Sequence, residues 1–281
     1  MCLPGTVETV RERTEREGVP LIDRRTALLG GAAAAVGAAV PAKALAARPA
    51  KKRFQDLTHV FRANFPIYGS PPQFVSPSRK TIVDIVPDGF YGQEWTFWEH
   101  SGTHLDAPGH FVANGRRSPQ ITPRELIVPI VVIDISSRVA SDPDTVVTPD
   151  DLRAFERRHG RIPRRALVAM YSGWESRVGD PAAFRNPDAS GVFHFPGFGK
   201  QAVEWLLGRR RIAALGVDTL SLDPGPSKGF DAHVTLLGAD RYGVEALANL
   251  KRIPPRGATA YVGLIPWEEG SGGPCRVIAN W

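Results

Sequence analysis

Residues 100–110 read HSGTHLDAPGH and place three histidines and one aspartate within a single short stretch. A regular strand would turn His100 and His104 to the same face but hold them about 13 Å apart, too far for one metal ion to bind both. A helix would bring these two histidines together but would place Asp106 well round its cylinder. Neither element is therefore expected along the whole stretch.

The glycines and the proline in this stretch indicate where the chain changes direction. Gly102, Pro108 and Gly109 all oppose a helix. We expect a bend at residues 101–102, which can bring two imidazoles and a carboxylate onto one ion. A second turn at residues 108–109 should return His110 toward the same point. A single histidine is more often structural, but this cluster indicates a metal site.

Composition indicates an ordinary globular chain. Of 281 residues, 42% are hydrophobic and 23% are charged, which suits one large domain or two small ones. The formal net charge is +6, and the short basic clusters at residues 51–53 and 209–211 contain no interleaved aromatic residue. We therefore expect solvated basic faces and no nucleic-acid partner.

The N-terminal segment has the order of an export signal. Arg24 and Arg25 precede an uncharged stretch at residues 26–40, and Ala44-Leu45-Ala46 offers a small-residue cleavage site. The twin arginine resembles a bacterial Tat signal. An Ala-rich surface helix or a membrane anchor is the alternative, but this stretch is shorter than the ~20 apolar residues of a membrane span.

Two expectations follow from this segment. Residues 1–46 form a Tat-type signal peptide, and the domain at residues 47–281 is exported to the periplasm or the exterior without stable membrane association after cleavage. Cleavage would remove Cys2 and leave Cys275 alone, which excludes an internal disulfide.

Hydrophobic patterning predicts a mixed α/β fold in which strands dominate. Four β-branched, apolar runs are typical of strands buried on both faces: residues 126–135, 164–174, 211–218 and 258–265. Pro129 predicts that the first is an edge or bulged strand. Helices are expected after the Thr148-Pro149 N-cap as far as Gly160, at residues 200–210 and at residues 244–250.

The opening stretch resembles the H-x-G-T-H-x-D-x-P-x-H signature of the cyclase family of metal-dependent hydrolases, which includes bacterial kynurenine formamidase and isatin hydrolase. Further similarity lies in Asp56-Leu57-Thr58, YSGW at residues 171–174, GVDTLSLDP at residues 216–224 and HVTLL from residue 233. The resemblance covers residues 54–281. It implies the swivelling β/β/α fold of that family.

The resemblance also implies a site that binds two divalent ions. His100, His104 and Asp106 would hold one ion, with Asp106 bridging, and His233 and Glu245 would hold the other. His110 would remain free as the acid/base. Imidazole-rich ligation favours zinc, and the carboxylates leave manganese as an alternative.

Other candidate residues carry weaker signals. Tyr68 takes the place of the substrate-facing tryptophan of the formamidases. Ser221 and Asp223 suit either a supporting role at the site or a turn cap. Trp95 and Trp98 suit core packing better than a pocket wall. A structural role is expected for His59, His159 and His194.

The resulting prediction is an exported dinuclear hydrolase that opens an amide or cyclic amide bond of a small-molecule substrate, as a homodimer or homotetramer. A lactone hydrolase of the same family and a non-catalytic secreted metal- or ligand-binding protein are the alternatives. His110 favours catalysis, because a binding module needs the five ligands but has no use for a sixth, non-ligating histidine.

Overall fold

The computed structural model describes residues 6–18, 52–69, 72 and 74–281. The predicted signal region from Arg24 to Ala46 lies outside these residues, so it stays a prediction. Within the described part of the chain, no helix has the length and apolar character needed to cross a membrane.

Contacts divide the chain into two units. The described part of the smaller unit contains helix α1 (Thr6–Glu17) and a hairpin of strands β2 (Ser78–Val83) and β3 (Gly92–Thr96), with the short helix α2 (Ile85–Asp88) between the strands. Within this unit, Arg11 pairs with Asp88 at 2.5 Å.

The larger unit comprises residues 52–78 and 96–281. Its strands are β1 (Phe54–Asp56), β4 (His104–Asp106), β5 (Ile127–Asp134), β6 (Val146–Val147), β7 (Leu167–Tyr171), β8 (Gly197–Phe198), β9 (Ala214–Val217), β10 (Tyr242–Glu245), β11 (Ala258–Leu264) and β12 (Gly272–Asn280). Its helices are α3 (Pro123–Leu126), α4 (Ser136–Val139), α5 (Pro149–His159), α6 (Pro181–Arg185), α7 (Lys200–Arg210) and α8 (Asp231–Gly238).

Seven strands of the larger unit close into a barrel. The sheet runs in the order β1-β12-β11-β5-β7-β9-β10-β4, and β4 pairs back onto β12. The three pairings β5–β7, β7–β9 and β9–β10 are parallel. The other pairings, which include β11–β5 and β10–β4, are antiparallel. This confirms the mixed, strand-rich class that the sequence predicts.

Two buried clusters line the two faces of the barrel wall. In β5, Ile130 and Val132 belong to the cluster inside the barrel. Their neighbours Val131 and Ile133 belong to the cluster beneath α5, α7 and α8. Successive side chains of a strand point to opposite faces, so this strand is buried on both sides and reads as a continuous apolar run.

The predicted helices at residues 149–159 and 200–210 are confirmed. Thr148 accepts a hydrogen bond from the Asp151 backbone, and the Asp151 side chain accepts in return from the Thr148 backbone. This reciprocal capping box begins α5, and Gly160 ends it. Local capping chemistry was therefore sufficient to locate this helix.

The helix predicted at residues 244–250 is wrong. Residues 242–245 instead form β10, which lies between β9 and β4. Ala246 and Asn249 then adopt positive φ angles of 49° and 57°, which a continuing helix cannot accommodate. Pairing with two neighbouring strands overrides the helical periodicity.

Pro129 does not mark an edge strand, because β5 lies in the interior of the sheet between β11 and β7. The ladder with β7 starts only at Ile130, and Pro129 faces Thr259 of β11 alone. Since the strand has a single neighbour at this position, the missing proline N–H is tolerated.

The run at residues 258–265 forms strand β11, but it was predicted to be buried on both faces and is not. Burial alternates along this strand, so one of its faces is less buried than the other.

Candidate active site

Gly102 makes the bend that the sequence predicts. Its φ is +71°, and a Cβ atom there would lie 2.5 Å from the ring of Phe61. Only glycine fits both the backbone angle and the space. The bend separates His100 from the short strand β4, so the two parts of the HSGTHLDAPGH stretch can converge.

The register of β4 explains three of the candidate ligands. His104 and Asp106 are two residues apart on one strand and therefore share a face. Glu245 lies directly opposite His104 in the antiparallel β4–β10 pair. Cross-strand partners present their side chains on the same face. This geometry places an imidazole and two carboxylates side by side.

His110 returns to the cluster as expected. Residues 108–110 form a single 3₁₀ turn, and the His110 ring stacks on the His100 ring with centroids 3.8 Å apart. Gly109 does not have a positive φ angle. A Cβ atom at this position would lie 2.9 Å from the Gly115 carbonyl oxygen. The glycine is required for close packing of two backbone segments.

Helix α8 supplies the remaining ligand candidate. His233 lies in its first turns, with Nε2 3.0 Å from Glu245 Oε1. The Leu222 backbone N–H donates to the same Glu245 oxygen at 3.0 Å. The second predicted pair, His233 and Glu245, is therefore in contact.

Asp106 lies at the centre of the cluster. Its Oδ1 is 2.7 Å from His100 Nδ1 and 3.3 Å from His104 Nε2. Its Oδ2 is 3.7 Å from His233 Nε2, and Glu245 Oε2 is 3.4 Å from His104 Nε2. The structure thus brings together all five predicted ligands.

The donor set fits divalent metal ions. His104 Nδ1 donates to the Gly102 carbonyl at 3.0 Å, and His233 Nδ1 donates to Asp223 at 2.6 Å. Each histidine therefore directs Nε2 into the cluster, where that nitrogen can bind a metal ion in exchange for its proton. Asp106 Oδ2 is buried without a hydrogen-bond partner, which leaves an oxygen lone pair for a cation.

The side chains form two groups, and within each group the possible ligand atoms all lie within 4.8 Å of one another. One group is His100, Asp106 and His110, and the other is His104, Asp106 and Glu245. Asp106 belongs to both groups, which agrees with a bridging role. His110 lies within ligand distance of the first group. Its assignment as a free acid/base therefore stays a prediction.

Burial and charge set the protonation of the central groups. Burial lowers the pKa of His110 to about 4, so its ring is neutral near pH 7. Burial opposes ionisation of Asp106, but His104 and the hydrogen bonds of the surrounding histidines outweigh it and hold its pKa well below the usual range. A neutral imidazole therefore lies beside an ionised carboxylate.

An aromatic cavity of about 280 Å³ opens onto the cluster. Its walls include Tyr68, Phe74, Trp98, Phe111 and Phe230, and none of the described lining residues is a lysine or an arginine. Trp98 therefore lines the cavity, against the expectation of core packing. Phe111 and Phe230 were not predicted from the sequence as site residues, although each lies within three residues of a candidate histidine.

The structure also shows where Asp223, Ser221 and Trp95 lie. Asp223 accepts from the Ala232 backbone at 2.7 Å as well as from His233, so it caps α8 and orients a ligand at once. Ser221 lines the cavity. Trp95 lies in the smaller unit, with the Arg79 guanidinium 5.9 Å from its ring.

The other histidines lie outside the cluster. His194 contacts Asp144 at 2.6 Å, and the His159 ring lies 5.0 Å from Phe155. The His59 backbone donates to Thr103 at 3.0 Å. These contacts agree with the structural roles expected for them. Cys275 is a buried free cysteine.

Comparison with known proteins agrees with this architecture. The Cyclase family matches residues 55–224. Isatin hydrolase from Roseibium aggregatum is 37% identical over 238 residues, which cover 80% of this chain and 90% of the relative. Kynurenine formamidase from Bordetella avium is 32% identical over 195 residues, which cover 63% of this chain and 80% of the relative.

A solved structure extends the similarity to the fold. An isatin hydrolase bound to the product analogue thioisatinate has a TM-score of 0.78 and 34% identity, covering 82% of this chain and 92% of that one. The cyclase-like fold implied by the opening motif is therefore confirmed. On the family match and the sequence identity together, this chain belongs to the cyclase family of hydrolases.

Proposed function

We propose that the protein hydrolyses a neutral aromatic cyclic amide of the isatin type with the help of divalent metal ions. Its class, a hydrolase of carbon–nitrogen bonds other than peptide bonds, follows from its relatives. The observation that carries the proposal is the aromatic cavity, without lysine or arginine among its described lining residues, that ends on the cluster of histidines and carboxylates. This site holds a flat apolar ring with one polar edge at the cluster.

The chemistry divides between the ions and the protein. When bound, divalent ions polarise the amide carbonyl and make water a better nucleophile near neutral pH. Asp106 and Glu245 supply the anionic ligands. His110, neutral and 3.8 Å from the His100 ring, accepts a proton from the attacking water.

Ring opening completes the hydrolysis. The water oxygen forms a bond to the carbonyl carbon, the carbon–nitrogen bond breaks, and His110 returns the proton to the leaving nitrogen. The product carries an amine and a carboxylic acid in one molecule, and the acid releases the second water proton to solvent and becomes a carboxylate. His110 ends the cycle unprotonated, in agreement with a pKa that burial lowers to about 4.

The cavity favours isatin over N-formylkynurenine. N-formylkynurenine carries an α-amino acid group, and its carboxylate needs a cationic partner when it leaves water. The described lining offers neither lysine nor arginine for that carboxylate. Isatin has no such charge, so its transfer into the aromatic cavity carries no comparable penalty.

A substrate panel tests this proposal. The purified protein, loaded with zinc or manganese, would be assayed against isatin, N-formylkynurenine and a small aromatic lactone. We expect kcat/KM for isatin to exceed that for N-formylkynurenine by at least about tenfold. Equal or reversed preference would contradict the substrate assignment, and metal binding without turnover of any of them would contradict the enzymatic role.

A cavity variant provides a matched comparison. Phe230→Ala removes a wall of the cavity and should raise KM for isatin while the metal content stays unchanged. Phe54→Ala removes an exposed phenylalanine in β1 and should leave KM as it is. Identical kinetics in the two variants would exclude Phe230 from substrate binding.

The metals, the export and the assembly are further proposals. Two ions are proposed, with zinc favoured by the imidazoles and manganese compatible with the carboxylates. Export by the twin-arginine signal rests on the sequence at residues 24–46. A homodimer or homotetramer is proposed, and light scattering after size-exclusion chromatography would measure its mass.

A further inference from the structure

His100 has a polar partner on each ring nitrogen. Nδ1 faces Asp106 Oδ1 at 2.7 Å, inside the cluster. Nε2 faces the hydroxyl of Ser271 at 2.9 Å, outside it. His104 and His233 have the opposite arrangement, because each directs Nε2 inward and uses Nδ1 for its outer partner.

Ser271 in turn contacts Glu99. The hydroxyl of Ser271 lies 2.5 Å from Glu99 Oε1, and the Ser271 backbone N–H donates to Glu99 Oε2 at 3.2 Å. An ionised carboxylate can only accept a hydrogen bond, so the single hydroxyl proton of Ser271 points to Glu99. The hydroxyl oxygen must then accept from His100, which places the ring proton on Nε2.

Nδ1 is therefore the nitrogen of His100 that faces Asp106, and without a metal ion it carries a second ring proton, which it donates to that carboxylate. Once that proton leaves, Nδ1 and Asp106 Oδ1 are two acceptors 2.7 Å apart, which repel each other unless a positive charge lies with them. A divalent ion held by His100 and Asp106 would supply that charge. The outer hydrogen bonds and the inner ligand geometry therefore agree.

We propose that Glu99 and Ser271 form a positioning relay that holds His100 in its Nε2–H form and presents Nδ1 to the metal. The inference rests on the metal centre of the proposed function. Neither residue belongs to the ligand set, and both act through His100. Carboxylate or hydroxyl partners of metal-binding histidines commonly tune affinity in this way.

Packing around His100 keeps the ring in this orientation. A Cβ atom at Gly272 would lie 2.7 Å from His100 Cε1, so the strand backbone lies against one edge of the ring. The His110 ring covers one face at 3.8 Å. The hydroxyl of Ser118 shares its one proton between the carbonyls of Gly270 and Gly272, at 3.0 Å each, and contacts neither His100 nor Glu99.

Metal affinity tests the relay independently of turnover. The apparent Kd for Zn²⁺ would be measured by competition with a chromophoric chelator, in the wild-type protein, Ser271→Ala, Ser271→Thr and Glu99→Gln. We expect Ser271→Ala to weaken affinity by about 10- to 100-fold. Ser271→Thr keeps the hydroxyl and should bind close to the wild type, whereas Glu99→Gln should be intermediate.

Ser118→Ala is the matched control. It removes a buried hydroxyl that lies beside the same segment, and this hydroxyl has no hydrogen bond to His100 or Glu99. Its affinity should stay close to that of the wild type. A loss equal to that of Ser271→Ala would mean that segment placement, and not the relay, supports the metal.

Nitrogen-15 NMR of the zinc-loaded protein provides a direct readout. We expect His100 to retain a proton on Nε2 and to bind zinc through Nδ1, and Ser271→Ala to lose the slowly exchanging Nε2 proton. Wild-type affinity in Ser271→Ala, or zinc on Nε2, would overturn the relay alone. A wild-type protein that binds no zinc or manganese would instead overturn the metal centre and the relay with it.

Discussion

The ring of His110 lies face to face with that of His100, and it belongs both to the cavity wall and to one candidate metal group. Its neutral form can accept a proton from water and return it to a leaving nitrogen. A ligand role would instead occupy one of its nitrogens permanently. This residue therefore separates the proposed mechanism from simple metal binding.

Replacement of His110 distinguishes the two roles. His110→Ala and His110→Asn should slow turnover by roughly 10² to 10⁴, the usual worth of a positioned general acid/base, while the metals remain bound. Turnover and metal content would be measured on the same preparations. His159→Ala, on the helix α5 surface, should change neither. Loss of metal in the His110 variants, or near-normal turnover, would refute the assignment.

The two carboxylates of the cluster should contribute differently to metal binding. Asp106 approaches His100, His104 and His233, whereas Glu245 approaches only the last two of these. Asp106→Ala should therefore lose both ions, and Glu245→Ala should chiefly loosen the second.

Elemental analysis after dialysis measures this difference. Asp134→Ala serves as the control, because that carboxylate lies at the exposed end of β5 and accepts hydrogen bonds from Ser136, outside the cluster. Complete and equal occupancy in the Asp106 and Glu245 variants would contradict the bridging role.

At the scale of the elements, the segment after the active-site motif is held by Glu125 at the start of α3. Arg116 donates to both carboxylate oxygens at 2.9 and 3.1 Å, and the Thr122 backbone donates at 3.0 Å. Burial acts to raise the pKa of Glu125, but these hydrogen bonds outweigh it and lower the pKa to about 2. The ionised side chain therefore stabilises the fold.

This shift predicts a pH-dependent stability. A folded pKa below the unfolded value contributes stability above about pH 4.5, and the contribution is lost as the pH falls toward 2. Glu125→Gln should lower the free energy of unfolding by about 1 to 2 kcal/mol at pH 7. The difference from the wild type should shrink as the pH falls through that window.

Denaturant unfolding at several pH values measures the difference. Asp150→Asn is the control, since Asp150 pairs with Arg153 on the exposed face of α5 and its side chain is 88% exposed. It should show no such trend. A Glu125→Gln difference that stays constant between pH 7 and pH 2 would exclude this carboxylate as the source.

The elements also show how far local sequence signals extend. The capping box at Thr148 and the bend at Gly102 were predicted correctly, because each depends on residues within a few positions. The segment at residues 244–250 was not, because its state depends on pairing with β9 and β4. Its periodicity alone fits a helix as well as a strand.

At the scale of the whole molecule, export makes a prediction about the chain terminus. Cleavage after Ala46 would give a mature N-terminus near Ala47 and would remove α1. The twin-arginine route moves folded proteins, so the metals could be bound before export. N-terminal sequencing of secreted protein would locate the cleavage site.

A twin-lysine variant keeps the charge and tests the signal itself. Arg24→Lys with Arg25→Lys should retain the protein inside the cell, because the arginine pair identifies the route. An intact Arg25 in exported protein would contradict cleavage after Ala46. Export of the twin-lysine variant at the wild-type level would contradict the route.

The sequence by itself determined the residue types of the site and the local shape of the segment that carries most of them. HSGTHLDAPGH contains four of the six clustered groups, and its glycines and proline predict both turns. His233 and Glu245 came from family resemblance, and their contact with the first four was not visible in their spacing. The two turns of HSGTHLDAPGH could be predicted because they depend only on local chain geometry and on the chemistry of neighbouring side chains.

The tertiary structure alone decided which groups meet and which atoms they use. Barrel closure places Glu245 opposite His104 and Ser271 against His100, across 141 and 171 residues of sequence respectively. It also gathers Tyr68, Phe111 and Phe230 into one cavity wall. The proton positions on the histidines then follow from these distant partners. Long-range register is the physical reason, because it is set by the packing of the whole barrel and has no signature in any short stretch.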